Sequence, residues 1–594
     1  GYKLGMEDTE KGRQALGVVG KYCVQDSVLV QKLFDKLQTW VGLCEMAKTC
    51  NVPIFYLFTQ GQQIKVFSQV YKLCFCKNFI VEKDGYIPDE DEEYTGATVF
   101  PPIPGLYEKV IPFDFASLYP TTIIAYNIDY STFVDDKSNI PDKDCNIIEW
   151  EDHVGCEHDT EKRATKPTKI ICAKRRYRFL KEPKGVMPTL LEYLLTTRKK
   201  TKTEMKSLKR KLKEDNTLDE KQKIDLSKKI IVLDKRQLAY KVSANSMYGS
   251  MGVKRGYLPF LPGAMSTTAR GRQSIQKAAK VIQEQYGGQL VYGDTDSCYI
   301  HFPTLKTSQE CWDYSLRVEN DVSNLFPKPM KLEFEEAIYW RFFILSKKRY
   351  MALSCGRDGI LSDDIEKKGV VLARRDNSKL IRELYEKVIM MIFNKEDISN
   401  TLYFIISYFN KLCGRCFDQS YFLITKSVGN PKDYKIKELP TDEKKLRKRL
   451  EDLDIFVNDI NNKKEYWSKY VERCLPAHIQ LAEKMKRRGV PVEIGSRLEY
   501  LITEGDGHTA KQFNKLEDPK YQKKFSRIIK IDYLYYLKLC VPPIDQLLEV
   551  GYKIKDFTKS QYKFRLIRQN VLEEIKLLEK DELGRLTHSK LKFK

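Results

Sequence analysis

No apolar run in the 594 residues is long enough to span a bilayer, and a mean hydropathy of -0.48 with 31% charged residues argues against a membrane protein. The chain opens Gly1-Tyr2-Lys3-Leu4-Gly5, without an initiator Met, a signal-peptide core or a transit-peptide pattern. A start inside a larger protein, with N-terminal domains missing, is therefore expected. There is no internal repeat and no low-complexity tract, and the absence of GxxxxGK[ST] excludes a P-loop NTPase. Phosphates would have to be held by side chains and metal. The 15 cysteines lack the spacing of a small disulfide scaffold, so reduced thiols in an intracellular protein are expected. Cys413 and Cys416 form a lone CxxC; His153, Cys156 and His158 cluster without a second ligand pair. Both groups read as ordinary packing rather than zinc.

What the chain does have is positive charge. A net charge of +22 attracts polyanions, and with no lipid-facing amphipathic segment the expected partner is nucleic acid rather than membrane. The length predicts about three to five domains. Residues 1–40 read as largely helical, and 52–82 as β-rich through runs such as Ile64-Lys65-Val66-Phe67. An acidic loop follows at 84–93, a strand-to-helix passage after Pro112, and an irregular polar excursion from 137 to 182. Two long helices, Pro188 to Lys213 and Leu218 to Tyr248, flank a polar turn. Strands return around Val291 and Tyr299 and from Ala337 to Leu353, and beyond Asn377 the chain reads as helical and charged.

The sharpest local signal is Leu290-Val291-Tyr292-Gly293-Asp294-Thr295-Asp296-Ser297-Cys298-Tyr299-Ile300, two apolar β-runs joined as a hairpin with acids at its tip. Two carboxylates this close repel one another unless a cation or proton compensates, although an Asx-rich turn capping itself would look similar alone. Asp114, at the end of an apolar run, could alone be a helix N-cap. With Asp294 and Asp296 it completes three carboxylates, enough to hold two ions about 3.5–4 Å apart for in-line phosphoryl displacement. Between these acids, Arg198 and Lys202 lie at i, i+4 on the first long helix. Lys241, Asn245 and Tyr248 share one face of the second, and a triphosphate and a base would suit them. The lysines between 206 and 229 read as a solvated face.

These blocks resemble the B-family DNA polymerases. Asp114-Phe115-Ala116-Ser117-Leu118-Tyr119-Pro120 is similar to the first catalytic motif, Lys241 to Gly249 to the second, and Tyr292 to Ser297 to the third, in the family's order. Lys347-Lys348-Arg349-Tyr350 resembles the segment that grips primer-template, Lys368-Gly369 with Arg374-Arg375-Asp376 the end of the palm, and Leu481-Ala482-Glu483 with Gly495-Ser496-Arg497 parts of the thumb. The resemblance implies an α+β multi-domain right hand whose palm is an antiparallel sheet with helices, with two-helix fingers and a helical thumb. The implied division is 1–45 as the end of a 3′–5′ exonuclease domain, 46–105 linker and start of palm, 106–185 palm, 186–250 fingers, 251–380 palm and 381–594 thumb.

By the same resemblance Asp114, Asp296 and the Phe115 carbonyl bind two Mg²⁺, which Mn²⁺ could replace, and Asp294 supports them. Ser117, Leu118, Tyr119, Arg198, Lys202, Lys241 and Asn245 hold the dNTP, Tyr119 excludes a ribose 2′-hydroxyl by sterics, and Tyr248 faces the nascent base pair. Lys347, Lys348 and Tyr350 bind primer-template DNA. Tyr22 and Asp26 resemble a remnant of the last exonuclease motif; the earlier exonuclease acids have no counterpart, so proofreading is expected of a longer parent and not of this chain. The linker departs from the family's Tyr-x-Gly-Gly as Tyr94-Thr95-Gly96-Ala97, which puts the expected flexibility there in doubt. No cysteine follows Cys540, so no C-terminal zinc or iron–sulfur module is expected. With the lysine-rich composition, this is similar to the replicative polymerases of large DNA viruses, such as African swine fever virus or poxviruses. That kinship implies viral genome replication by a monomeric catalytic subunit, with a processivity factor, in the host cytoplasm or at viral replication sites. A metal-dependent nuclease and a non-catalytic nucleic-acid scaffold are the alternatives, of which the first leaves Lys241, Asn245 and Tyr119 without roles.

Overall fold

The computed structural model describes residues 7–81, 93–135, 137–159, 170–370, 376–505 and 512–552. They group into two compact units: one of residues 1–100, 111–306 and 310–336, the other of 101–110, 307–309 and 337–594. The acidic 84–93 stretch and the Arg374-Arg375 pair fall almost wholly outside the described residues, as does the Cys413 side chain.

The first unit begins with α1 (Glu10–Lys36), whose N-cap Thr9 accepts from the Gly12 amide, and α2 (Thr39–Cys50). Next comes α3 (Gln62–Cys76), where the sequence reading expected β-structure. Val66, Val70 and Cys74 recur at four-residue spacing and are buried. Gln69 also exchanges hydrogen bonds with Ser243, buried on a later helix. Tertiary packing of a helical face thus outweighs the local β-propensity of Ile64-Lys65-Val66-Phe67.

β1 (Val99–Phe100) and β2 (Gly105–Phe115) lead into α4 (Leu118–Ala125). Within the stretch expected to be irregular, the described residues include two strands, β4 (Cys145–Val154) and β5 (Ile171–Leu180), which with the preceding β3 (Phe133–Val134) form a small antiparallel sheet with β5 central. Its alternation is real, with Ile148, Trp150 and Asp152 buried and Glu149 and Glu151 exposed. One inward position carries an acid, which hides the pattern from a hydrophobicity reading. Asp152 is 2% exposed and faces Arg272 at 3.3 Å and Arg175 at 3.7 Å.

α5 (Val186–Glu214) and α6 (Glu220–Met251) form the expected antiparallel pair, the second opened by an Asp219–Gln222 capping box. Arg236 on α6 grips Glu45 at 2.7 and 3.2 Å, fastening α2 to this helix. α7 (Leu261–Tyr286) starts with Pro262, ends at the left-handed Gly287, and is buried through nearly all of its first three turns. It leads into the hairpin β6 (Gln289–Asp294) and β7 (Ser297–His301), followed by α8 (Ser308–Ser323) and β8 (Leu332–Phe334). In this unit the strands order as β1-β6-β7-β2, with β8 paired to β2. The core gathers around α4, α5 and the start of α7.

In the second unit Gly105 to Val110 of β2 pair with β9 (Ile338–Ser346), then β10 (Arg349–Cys355) and β11 (Leu361–Lys368). α9 (Lys379–Phe393) and α10 (Ile398–Cys413) pack with the C-terminal α14 (Tyr533–Tyr552) into the largest core. The region beyond Asn377 is not wholly helical. Between α10 and α14 lie β12 (Ile424–Ser427), α11 (Glu443–Glu451), α12 (Lys463–Cys474), α13 (Ala477–Arg487), β13 (Arg497–Ile502) and β14 (Leu516–Glu517). The three strands form one antiparallel sheet, each too short to stand out against the surrounding helical pattern.

Candidate active site

The acids of the first and third blocks meet on one sheet. The Phe115 amide donates to the Asp296 carbonyl at 2.8 Å, so the end of β2 and the β6–β7 turn are joined through backbone. The turn is tight: Thr295 has φ +62 and donates its amide to the Thr98 carbonyl at 2.9 Å. β1, absent from the sequence reading, therefore buttresses the hairpin, pairing Val99 with Asp294 and Phe100 with Gly293. A Cβ on Gly293 would stand 2.6 Å from the Phe100 ring and 2.9 Å from the Ser297 carbonyl, so only glycine fits before the acids.

Burial and neighbouring charge act on Asp114 and Asp296. Burial, then the neighbouring Asp296, Glu335 and Glu333, pushes Asp114 up to about 8. Burial likewise raises Asp296, with Asp294 and Glu335 adding to it, while its own amide and Lys241 oppose. Asp114 Oδ1 is buried without a hydrogen-bond partner. Carboxylates crowded in this way, one with an orphaned oxygen, suit a hard divalent cation that would displace the proton. Asp294 is differently placed: Tyr292 donates to its Oδ2 at 3.1 Å and Thr295 to its Oδ1 at 3.1 Å.

The cations and aromatic groups expected of the fingers lie in the same unit. Lys241 is exposed on α6 and close enough to Asp296 to lower its pKa, and Asn245 is exposed one turn further. Arg198 is half-buried on α5, its Nε donating to Gln237 on α6 at 3.4 Å, and burial holds its pKa below the usual arginine value. Lys202 is exposed. Ser117, with φ +54, turns the chain into α4, and Leu118 is buried, so the first turn of the helix brings Tyr119 near Asp296. The Tyr119 ring lies 4.5 Å from that of Tyr248, and burial followed by Asp296 pushes its hydroxyl up to about 12.

Sequence reasoning missed several contributors. Gly271 on α7 lies under Tyr119, where a Cβ would be 2.9 Å from the ring. Tyr94 approaches the Tyr248 hydroxyl at 3.4 Å, and Arg272 grips the Thr95 and Gly96 carbonyls at 2.7 and 2.8 Å. The departure Tyr94-Thr95-Gly96-Ala97 is thus a tethered segment. The signal in the sequence is the alanine at position 97, where the family has a second glycine.

With this geometry in hand, comparison with known proteins decides the family. The profile of DNA polymerase family B matches residues 52–550. The chain belongs to that family. It is 45% identical to DNA polymerase 120R of Invertebrate iridescent virus 3 over 96% of this chain and 54% of that protein. Identity is 35% to DNA polymerase 037L of Invertebrate iridescent virus 6, over 92% and 54%. It is 31% to the DNA polymerase delta catalytic subunit of Candida albicans, over 89% and 44%. This family B chain spans about half the length of the curated relatives it matches. The iridovirus relatives fit the expected large-DNA-virus kind.

Elsewhere in the family B chain the expected residues are dispersed. Lys347 and Lys348 are exposed at the β9–β10 turn, whereas Tyr350 is 7% exposed and packs on Phe342 at 5.1 Å, so its ring serves the sheet. Gly369, with φ +60, would place a Cβ 2.0 Å from the Lys348 carbonyl, which explains glycine there. Tyr22 and Asp26 are exposed on α1. No helix among the described residues is long and apolar enough to cross a membrane.

Proposed function

We propose that this chain is the synthetic half of a replicative DNA polymerase, adding dNMP from a dNTP to a primer 3′-hydroxyl under template direction, with release of pyrophosphate. The observation that carries the reading is the junction of Asp114 and Asp296 on one sheet, with Lys241 close enough to Asp296 to act on it. Asp114, Asp296 and the Phe115 carbonyl would hold two Mg²⁺, with Mn²⁺ as a substitute and Asp294 in a supporting position. Such ions lower the cost of charge developing on the attacking and leaving oxygens.

The chain's own residues supply position and selectivity. Lys241, Arg198 and Lys202 offer positive charge to the triphosphate, and Asn245 and the Ser117–Leu118 backbone complete its cradle. Tyr119 presents a rigid ring to the sugar and Tyr248 faces the nascent pair. Lys347, Lys348 and the region around Tyr350 meet the phosphates of primer-template, and a basic surface favours that partner. In hand terms, 106–185 and 251–380 are palm, 186–250 fingers and 381–594 thumb. Residues 1–45 belong with an exonuclease domain and 46–105 are the linker and start of the palm. The whole protein would act as a monomeric catalytic subunit, with a processivity factor, at sites of viral genome replication, and its parent would proofread.

Primer extension on a recessed template with Mg²⁺ tests this. Asp296→Asn should abolish extension, and Tyr119→Ala should admit ribonucleotides. Absence of extension by folded, DNA-binding wild type overturns the reading for this chain.

A further inference from the structure

The β4–β5 ribbon carries a second, unrelated cluster. His153, Cys156, His158 and Cys172 each bring one ligand atom within 4.8 Å of all the others. The first three are neighbours in sequence, whereas the fourth comes from the opposite strand, where Cys172 is the direct cross-strand partner of His153. Gly155, with φ +66, and the Gly155 amide bound to Asp159 Oδ2 at 2.6 Å, turn the chain so that Cys156 and His158 fold back toward that pair.

The distances fit one ion. Cys156 Sγ lies 3.4 Å from His153 Nδ1, and Cys172 Sγ lies 3.5 Å from both His153 Nδ1 and His158 Nδ1. With Zn–S of about 2.3 Å and Zn–N of about 2.0–2.1 Å, a tetrahedral site has sulfur-to-nitrogen edges of about 3.6 Å. Glu151 Oε2 stands 3.5 Å from His153 Nε2, placing a carboxylate behind the ring where it would fix the tautomer with Nδ1 free to ligate.

We propose that these four residues form a structural zinc site. Four protein donors in a Cys₂His₂ set close the coordination sphere, select zinc over hard cations and leave no position for substrate. The ion would cross-link the ribbon tip one residue from Asp152, the buried acid that faces Arg272. It would thereby pin the register of β4 on β5.

The test is metal content of the chain purified under reducing conditions without chelator. About one zinc per chain is expected, falling to near none in Cys156→Ser/Cys172→Ser and persisting in Asp114→Asn/Asp296→Asn, with a lower melting temperature only in the cysteine variant. Replacement by cobalt(II) should give the intense visible bands of tetrahedral thiolate coordination. The proposal falls if the reduced chain holds no zinc and gives no such cobalt spectrum, if mass spectrometry finds a Cys156–Cys172 disulfide instead, or if the zinc survives the cysteine variant.

Discussion

The amide of Phe115 donates to the carbonyl of Asp296 at 2.8 Å, so the backbone beside the first acid is bonded to the backbone of the third. Carboxylate spacing is thus set by strand pairing and not by side-chain rotamers alone. It also depends on Gly293, where β1 leaves no room for a Cβ. Gly293→Ala should cost about 1–3 kcal/mol through overpacking. Because the displaced element carries the acids, kcat should fall at least about tenfold. Steady-state kinetics beside thermal denaturation checks both.

Tyr119 rests on Gly271. An added methyl there would be 2.9 Å from the ring and 3.5 Å from Leu118, both held in packed surroundings. Gly271→Ala should therefore tilt the ring and change deoxyribose-to-ribose discrimination by about tenfold, within the range expected for a one-group steric contact. Alanine's better helix propensity, up to about 1 kcal/mol over glycine, should keep the fold stable. Comparing kcat/KM for dNTP and rNTP in a folded Gly271→Ala protein reads the effect directly; unchanged selectivity would count against the role proposed for the Tyr119 ring at the sugar.

The acids, the two long helices and the hairpin are where the sequence places them, while other parts of the fold are not. The acids, the long basic helices and the hairpin are local signals: apolar runs ending in Asp, and polar helices with long period. What escaped depends on partners distant in sequence. α3 became a helix because Val66, Val70 and Gln69 have a surface to bury against, including Ser243. The β4–β5 ribbon escaped because one of its inward residues is Asp152, paired with Arg175 across the ribbon and with Arg272 far along the chain. Cys172 was left out of the His153 cluster for the same reason, since cross-strand register cannot be read from spacing. β1 has two residues, too few to show a period.

Lys347 stands exposed on the β9–β10 turn, where the adjoining Lys348 has φ +63. If this turn meets a phosphate, Lys347→Ala should weaken primer-template binding on every sequence alike. The slope of log K against log salt should become shallower by about 0.9. Fluorescence anisotropy titrations over a salt series measure it, and an unchanged slope would place the contact elsewhere.

The last case concerns stability. Glu517 in β14 is 5% exposed, accepting from Arg488 at 2.7 Å, Lys484 at 2.8 Å and the Asp518 amide at 3.0 Å. Burial alone would raise its pKa. The two cations and the amide outweigh that, and hold it below the usual glutamate value of 4.5. A carboxyl lowered on folding lends stability that is fully present above the unfolded value and is lost as pH falls through the native one. Glu517→Gln should cost about 1–3 kcal/mol at neutral pH, less than a fully buried ion pair because Lys484 and Arg488 keep some solvent. Below about pH 4 the difference from wild type should shrink toward the part due to packing and neutral hydrogen bonds. Urea denaturation across that pH range checks the sign, and a penalty that grows on acidification would show that the carboxylate is not the stabilising species.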